Sequence, residues 1–92
     1  MADEGSVTVV VRYFAAARAA AGVPEEKLSV PAPATVAAVL AAATAQHGSR
    51  LEQVLARCSY LLEEVAVHAA QSGTTAVADG DVLDVLPPFA GG

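Results

Sequence analysis

The chain has 92 residues, one cysteine and a formal net charge of −5, with only five lysines and arginines. This length predicts one domain over residues 1–92, and the shortage of basic side chains excludes a nucleic-acid binder. The acidic N-terminus is unlike a signal peptide, and no apolar run is long enough to cross a bilayer. We therefore expect a small acidic cytoplasmic protein with no nucleic-acid or membrane partner and no internal disulfide.

The N-terminal third predicts a strand, a short helix and a second strand. Residues 6–14 are mostly β-branched or aromatic, and their alternation places Val7, Val9, Val11 and Tyr13 toward the core. The alanine-rich residues 15–21 favour a helix that ends at Gly22. Residues 25–30 alternate again and are expected to form a hairpin with the first strand.

The main helix is predicted over residues 35–47, with Thr35 as its N-cap and Gly48 after its end. Apolar residues at helical spacing predict a further turn or two over residues 51–58.

The remaining elements are short. Residues 65–69 and 75–78 are candidate strands, residues 79–81 form a tight turn, and residues 82–86 form the last strand. This order predicts an α+β fold in which one main helix packs across a mixed sheet, as in the ubiquitin-like β-grasp; a ferredoxin-like arrangement remains the alternative.

Side chains that could support catalysis are few. The sequence has no phosphate-binding loop, dinucleotide motif, nucleophile elbow or paired-histidine zinc motif. Cys58 is interpreted as a small packed apolar residue, and His47 as a residue suited to a helix C-terminus. His68 has no nearby ligand partner, so no metal site is expected. Asp79 and Asp81 belong to a turn, and Asp84 is assigned to a solvated acidic face.

The last six residues form the most informative segment. The two prolines favour a stiff, extended exit from the last strand, and the final two glycines leave the terminus without side chains. Such an end can enter a channel too narrow for any Cβ and bring a carboxylate to a distant reactive centre. The residues of this predicted tail are Pro87, Pro88, Phe89, Ala90, Gly91 and Gly92.

Two segments carry a family resemblance. Residues 79–92 (DGDVLDVLPPFAGG) and residues 9–18 (VVVRYFAAAR) resemble the end and the beginning of the MoaD/ThiS sulfur carriers. The Pro-Pro pair before the diglycine is more similar to the branch of molybdopterin synthase small subunits than to the thiazole-forming carriers. The resemblance extends over nearly the whole chain and is most specific in the last 14 residues.

The resemblance implies a carrier rather than an independent catalyst. An E1-like enzyme would use ATP to adenylate the carboxylate of Gly92, and a sulfur donor protein would convert it to a thiocarboxylate. The large subunit of molybdopterin synthase, which holds the active site, would accept the tail and transfer the sulfur to precursor Z. No cofactor would be bound by the chain itself.

The resemblance also suggests a docking surface near the tail. Phe14 and Leu86 fall on the non-core faces of their strands, and we expect both to contact these partners together with Phe89. Arg18, which matches an arginine of the family motif, would add an ion pair at the rim. The alternative for Phe14 is that it closes the core.

Two other functions remain open at this point. The same chemistry could serve the thiamine thiazole, cysteine or tRNA thiolation pathway. A ubiquitin-like modifier would instead join its diglycine to a lysine of a target protein.

Overall fold

The computed structural model describes residues 5–88, which form a five-stranded mixed sheet with helices packed on one face. The strands are β1 (Ser6–Tyr13), β2 (Glu25–Pro31), β3 (Ala34–Thr35), β4 (Ser59–Leu62), β5 (Val65–Val67), β6 (Ala76–Val77) and β7 (Val82–Leu86). The helices are α1 (Ala15–Ala21), α2 (Val36–His47) and α3 (Ser49–Leu55), and Ala69–Gln71 forms a 3-10 turn.

The strand order is β2-β1-β7-β4-β5. β1 pairs with β2 antiparallel and with β7 parallel, while β4 pairs antiparallel with both β7 and β5. A parallel pair needs a long crossover, and α2 and α3 lie within it. This is the β-grasp arrangement that the order of elements predicts.

The predicted helix ends are confirmed by their capping geometry. The Thr35 hydroxyl oxygen accepts a hydrogen bond from the Ala38 amide at 3.2 Å, which satisfies one of the free N–H groups of the first turn of α2. Gly22 follows α1 with φ of 81°, in the left-handed region where a side chain would be strained.

The core lies between the helices and one face of the sheet. Val9, Val11 and Tyr13 are buried as alternation predicts, and Val7 is half-buried. The helical layer contributes buried side chains from α1, α2 and α3, namely Ala17, Ala21, Val36, Val39, Ala43, Leu51 and Leu55.

Two parts of the second half differ from the sequence-based expectation. Ser59–Leu62 is strand β4, which the pattern did not predict, because its four residues are too few to show a clear alternation. The predicted strand over residues 65–69 ends at Val67, and the 3-10 turn follows it. The short strand near residue 76 pairs with β3 in a separate two-stranded sheet.

Candidate functional site

The end of β1 and the end of β7 lie at the same edge of the sheet, because the two strands are parallel. The amide of Phe14 donates a hydrogen bond to the carbonyl of Val85 at 3.0 Å, so the pairing continues beyond the end of β1. Pro87 and Pro88 leave the sheet at this edge and are exposed. The base of the predicted tail is therefore held by the centre of the sheet.

An open groove of about 820 Å³ lies beside the base of the tail. We call it the α1–α3 groove, because these two helices and the residues that flank them form most of its walls. It is lined by Phe14, Ala15, Ala16, Ala17, Gln53, Val54, Ala56, Arg57, Cys58, Pro87 and Pro88.

Of the described residues that the sequence grouped into one docking surface, Phe14 lines the α1–α3 groove, whereas Leu86 and Arg18 do not. Phe14 is 39% exposed and lines the α1–α3 groove, so it does not close the core. Leu86 is half-buried and pairs with Ser59 of β4, and it does not line the groove. Arg18 is exposed on α1, also outside the groove lining.

Of the predicted tail, only Pro87 and Pro88 are among the described residues. Both line the groove. Phe89, Ala90, Gly91 and Gly92 lie outside the described residues, so their predicted roles stay predictions.

Asp84 corrects the expectation of a solvated acidic face. It is only 7% exposed, and its two carboxylate oxygens accept hydrogen bonds from Nε and Nη2 of Arg12 at 2.6 and 2.9 Å. The hydrogen bond and the charge of Asp84 raise the pKa of Arg12 above its ordinary value. Because this pair lies on the sheet face opposite the helices, the centre of that face is polar rather than uniformly apolar.

A second polar cluster joins α2 to the sheet. Oε2 of Glu26 accepts a hydrogen bond from the Tyr13 hydroxyl at 2.6 Å and lies 2.6 Å from Nε2 of His47. Burial, followed by the hydrogen bond to Glu26, raises the pKa of Tyr13. His47 thus has a specific partner in addition to its place at the helix end.

The sequence did contain a signal for this cluster. Glu26 shares its strand face with Leu28 and Val30, both of which are buried. A carboxylate in that alternating position requires a hydrogen-bonding partner within the protein.

Cys58 packs against the core as interpreted from the sequence. The thiol donates a hydrogen bond to the carbonyl of Val54 at 3.2 Å, and burial raises its pKa. A raised pKa disfavours the thiolate, which is the nucleophilic form. Cys58 is therefore a poor candidate nucleophile although it lines the groove beside the tail.

None of the helices within residues 5–88 is long and apolar enough to cross a membrane.

The fold and the exit of its last strand define a class: a small ubiquitin-like β-grasp domain that ends in a diglycine. The model of the ThiS family matches residues 11–92, and the chain belongs to this family. It is therefore a ThiS/MoaD-type sulfur carrier or a related ubiquitin-like modifier.

Solved structures agree with this assignment. The putative molybdopterin converting factor subunit 1 from Pyrococcus furiosus is 28% identical with a TM-score of 0.78, and the match covers 90% of this chain and 99% of that one. The small archaeal modifier protein 1 from Methanosarcina acetivorans is 27% identical with a TM-score of 0.77, over 95% and 98% of the two chains.

A third structure contains a partner. It is the complex of subunits 1 and 2 of the molybdopterin-converting factor from Helicobacter pylori, 27% identical with a TM-score of 0.59, over 94% of this chain and 100% of that chain. No curated protein matches the chain significantly by sequence.

Proposed function

We propose that this protein is the sulfur carrier subunit of molybdopterin synthase and that Gly92 bears the transferred sulfur. The observation that carries the proposal is the ThiS-family match over residues 11–92 in a chain whose last residues are Gly-Gly. The choice of pathway is supported by the likeness to the two molybdopterin converting factor proteins and by the Pro-Pro pair before the tail.

The chemistry requires activation of a carboxylate. The Gly92 carboxylate attacks the α-phosphorus of ATP in an E1-like enzyme, forming an acyl adenylate and releasing pyrophosphate. A sulfur donor protein then delivers sulfur at the sulfide level (HS⁻), which attacks the carbonyl carbon and displaces AMP, and a thiocarboxylate remains. In molybdopterin synthase, the large subunit supplies the active site in which this thiocarboxylate gives sulfur to precursor Z.

The folded domain positions the tail for this chemistry. β7 has a neighbouring strand on each side, so its position is fixed up to Leu86. The two prolines that follow restrict the backbone to extended conformations and donate no hydrogen bonds. Beyond them, only Phe89 has a large side chain, so the final residues suit a narrow channel in a partner.

The partners in this proposal are the E1-like enzyme, a sulfur donor protein and the large synthase subunit, all acting in the cytoplasm. Phe14 and Leu86 lie near the place where the tail leaves the sheet, and they remain the predicted contacts with these partners. Arg18 is the predicted ion-pair residue at the rim of that contact. Replacing Phe14 by alanine is expected to weaken partner binding more than it lowers the melting temperature, since Phe14 is 39% exposed. A large loss of melting temperature with unchanged affinity would reject the interface role.

The experiment is an activation assay with the purified protein, an E1-like enzyme, ATP and a sulfur donor, followed by intact mass spectrometry. A sulfur-for-oxygen exchange at the C-terminus is expected. One variant lacks Gly92, and another carries one added alanine after it; both should show no exchange while retaining the melting temperature of the wild type. Restored synthase activity by either variant in a host lacking the small subunit would refute the proposal.

The second candidate is a protein modifier, which the likeness to the small archaeal modifier protein 1 favours. A modifier ends in an isopeptide bond between Gly92 and a target lysine. Immunoblots of tagged protein from cells would then show ladders of conjugates that disappear when Gly92 is removed. A carrier that serves only molybdopterin synthesis gives the thiocarboxylate mass without these ladders.

A further inference from the structure

We propose that the α1–α3 groove binds a segment of a partner protein in which an apolar side chain stands beside a carboxylate. This surface includes Phe14, which is also a partner contact in the proposed function, so the inference rests on that function and adds the chemistry of the partner segment. It rests on the composition of the groove and on the charge of the helical side of the molecule.

The groove is predominantly apolar where the tail begins. Its walls come from small or apolar side chains of α1, from Val54 of α3 and from Pro87 and Pro88. Phe14 lies in this lining at 39% exposure; among the described residues, only Val65 is another large apolar side chain exposed to this degree. An exposed aromatic ring within an apolar groove is typical of the buried centre of a protein interface.

The positive charge in and near the groove favours a partner with a negatively charged side chain. Among its described lining residues, Arg57 is the one charged side chain; it is exposed and forms no ion pair within residues 5–88. Arg18 and Arg50 lie on the same helical layer, so α1, α3 and the residues up to 58 hold three of the five basic residues of the chain. The same segments contain one carboxylate, that of Glu52.

The helical side is thus locally positive in a protein of net charge −5. A carboxylate of the partner would pair with Arg57, whereas a basic segment would be repelled at this position. Nucleic acid is disfavoured because the negative charge of the whole chain opposes it. In a partner segment, an apolar side chain would contact the apolar walls of the groove, and a neighbouring aspartate or glutamate would pair with Arg57.

The test uses the full chain, immobilised, and a phage library of short random peptides. We expect enriched sequences that combine leucine, isoleucine or phenylalanine with a neighbouring acidic residue. A synthetic copy of an enriched peptide is then titrated against the free protein by fluorescence anisotropy, and its contacts are mapped by amide chemical shifts. No enrichment above a blank surface, or enrichment of basic sequences, would overturn the proposal.

Two matched pairs of variants locate the binding. Ala16→Glu places a carboxylate in the groove, whereas Ala19→Glu changes an exposed residue of the same helix outside it. Arg57→Glu reverses the rim charge, and Arg50→Glu reverses an exposed arginine that does not line the groove. The two groove variants should weaken binding about tenfold or more, and the two controls by less than about twofold.

Equal losses of peptide affinity within each pair would mean long-range attraction without a docking site and would overturn the proposal. Amide chemical-shift changes confined to the sheet face opposite the helices would overturn it as well. Self-association of the chain through the groove, detected by sedimentation, would identify a second copy as the occupant and also overturn it. None of these measurements uses ATP or an activated terminus, so a failure of this proposal is distinguishable from a failure of the sulfur-carrier assignment.

Discussion

Arg12 and Asp84 face each other across the parallel strands β1 and β7, and the guanidinium holds the carboxylate through two hydrogen bonds. The side chain of Asp84 is 10% exposed, whereas that of Arg12 is 42% exposed. The arginine therefore satisfies a nearly buried charge from its solvent side. This pair links the first strand to the last one at the centre of the sheet.

Replacing Arg12 by methionine is expected to lower the melting temperature by several degrees, because the buried carboxylate of Asp84 loses its partner. Lys27→Met is the control: it removes an exposed positive charge from the neighbouring strand, and Lys27 forms no ion pair within residues 5–88. Calorimetry of both variants checks the prediction. Equal, small changes would show that the pair is unimportant for stability.

Tyr13 and Glu26 are expected to be energetically coupled. Tyr13→Phe should cost about 1 kcal/mol of unfolding free energy, and Glu26→Ala about 1–3 kcal/mol, because the latter leaves the buried hydroxyl unsatisfied. The double variant should cost about 1 kcal/mol less than the sum. Urea unfolding measures all three, with the exposed Glu25→Ala as a control within about 0.5 kcal/mol. Strict additivity would contradict the coupling.

Stability should fall as the pH rises above 10. Burial, with a smaller effect of Cys58, raises the pKa of Tyr60 from 10.0 to about 12, and the pKa of Tyr13 is raised as well. Because the folded state holds these protons more tightly than the unfolded state, the stabilisation is complete below pH 10 and is lost as the pH rises through the folded pKa.

Urea unfolding between pH 9 and the alkaline limit of the experiment measures this loss. Tyr60→Phe also removes the hydrogen bond to the carbonyl of Leu55, so its stability is lower at neutral pH. The informative quantity is the slope against pH, which should be smaller in this variant. An unchanged slope would exclude Tyr60 as a contributor.

Leu51 and Val65 represent opposite ends of the burial range. Leu51 is 0% exposed and Val65 is 67% exposed. Leu51→Ala should cost about 2–5 kcal/mol, since it leaves a cavity between α3 and the rest of the core, while Val65→Ala should stay within about 0.5 kcal/mol. Chemical denaturation measures the loss of unfolding free energy in each variant, and a similar loss at both positions would refute the placement of α3.

The sequence predicted the elements whose signals are local. Alternation in β1, the Thr35 cap and the stop at Gly22 depend on neighbouring residues alone, and the structure confirms them. Strand β4 was missed because its four residues are too few to show alternation, and one of its two partner strands, β7, is more than 20 residues away. Such pairing leaves no periodic trace in a short segment.

The same distinction applies to the candidate site. The tail was evident from its glycines and prolines, but the α1–α3 groove is assembled from residues between 14 and 88 and has no contiguous motif. The partner of Asp84 was also hidden, since Arg12 is distant in sequence. The partial burial of Glu26 could have been predicted from its strand face, because its alternation with Leu28 and Val30 is local.

The central place of β7 has a consequence for biosynthesis. A nascent chain that has emerged only to residue 81 contains a β1–β2 hairpin and a β4–β5 hairpin with nothing between them, so two strand edges face solvent. Completion of the sheet must wait for residues 82–86. A chain that stops short of this strand would leave the facing edges of β1 and β4 unpaired, and such edges favour pairing with other chains. The strand order therefore makes a continuous sheet depend on the presence of β7.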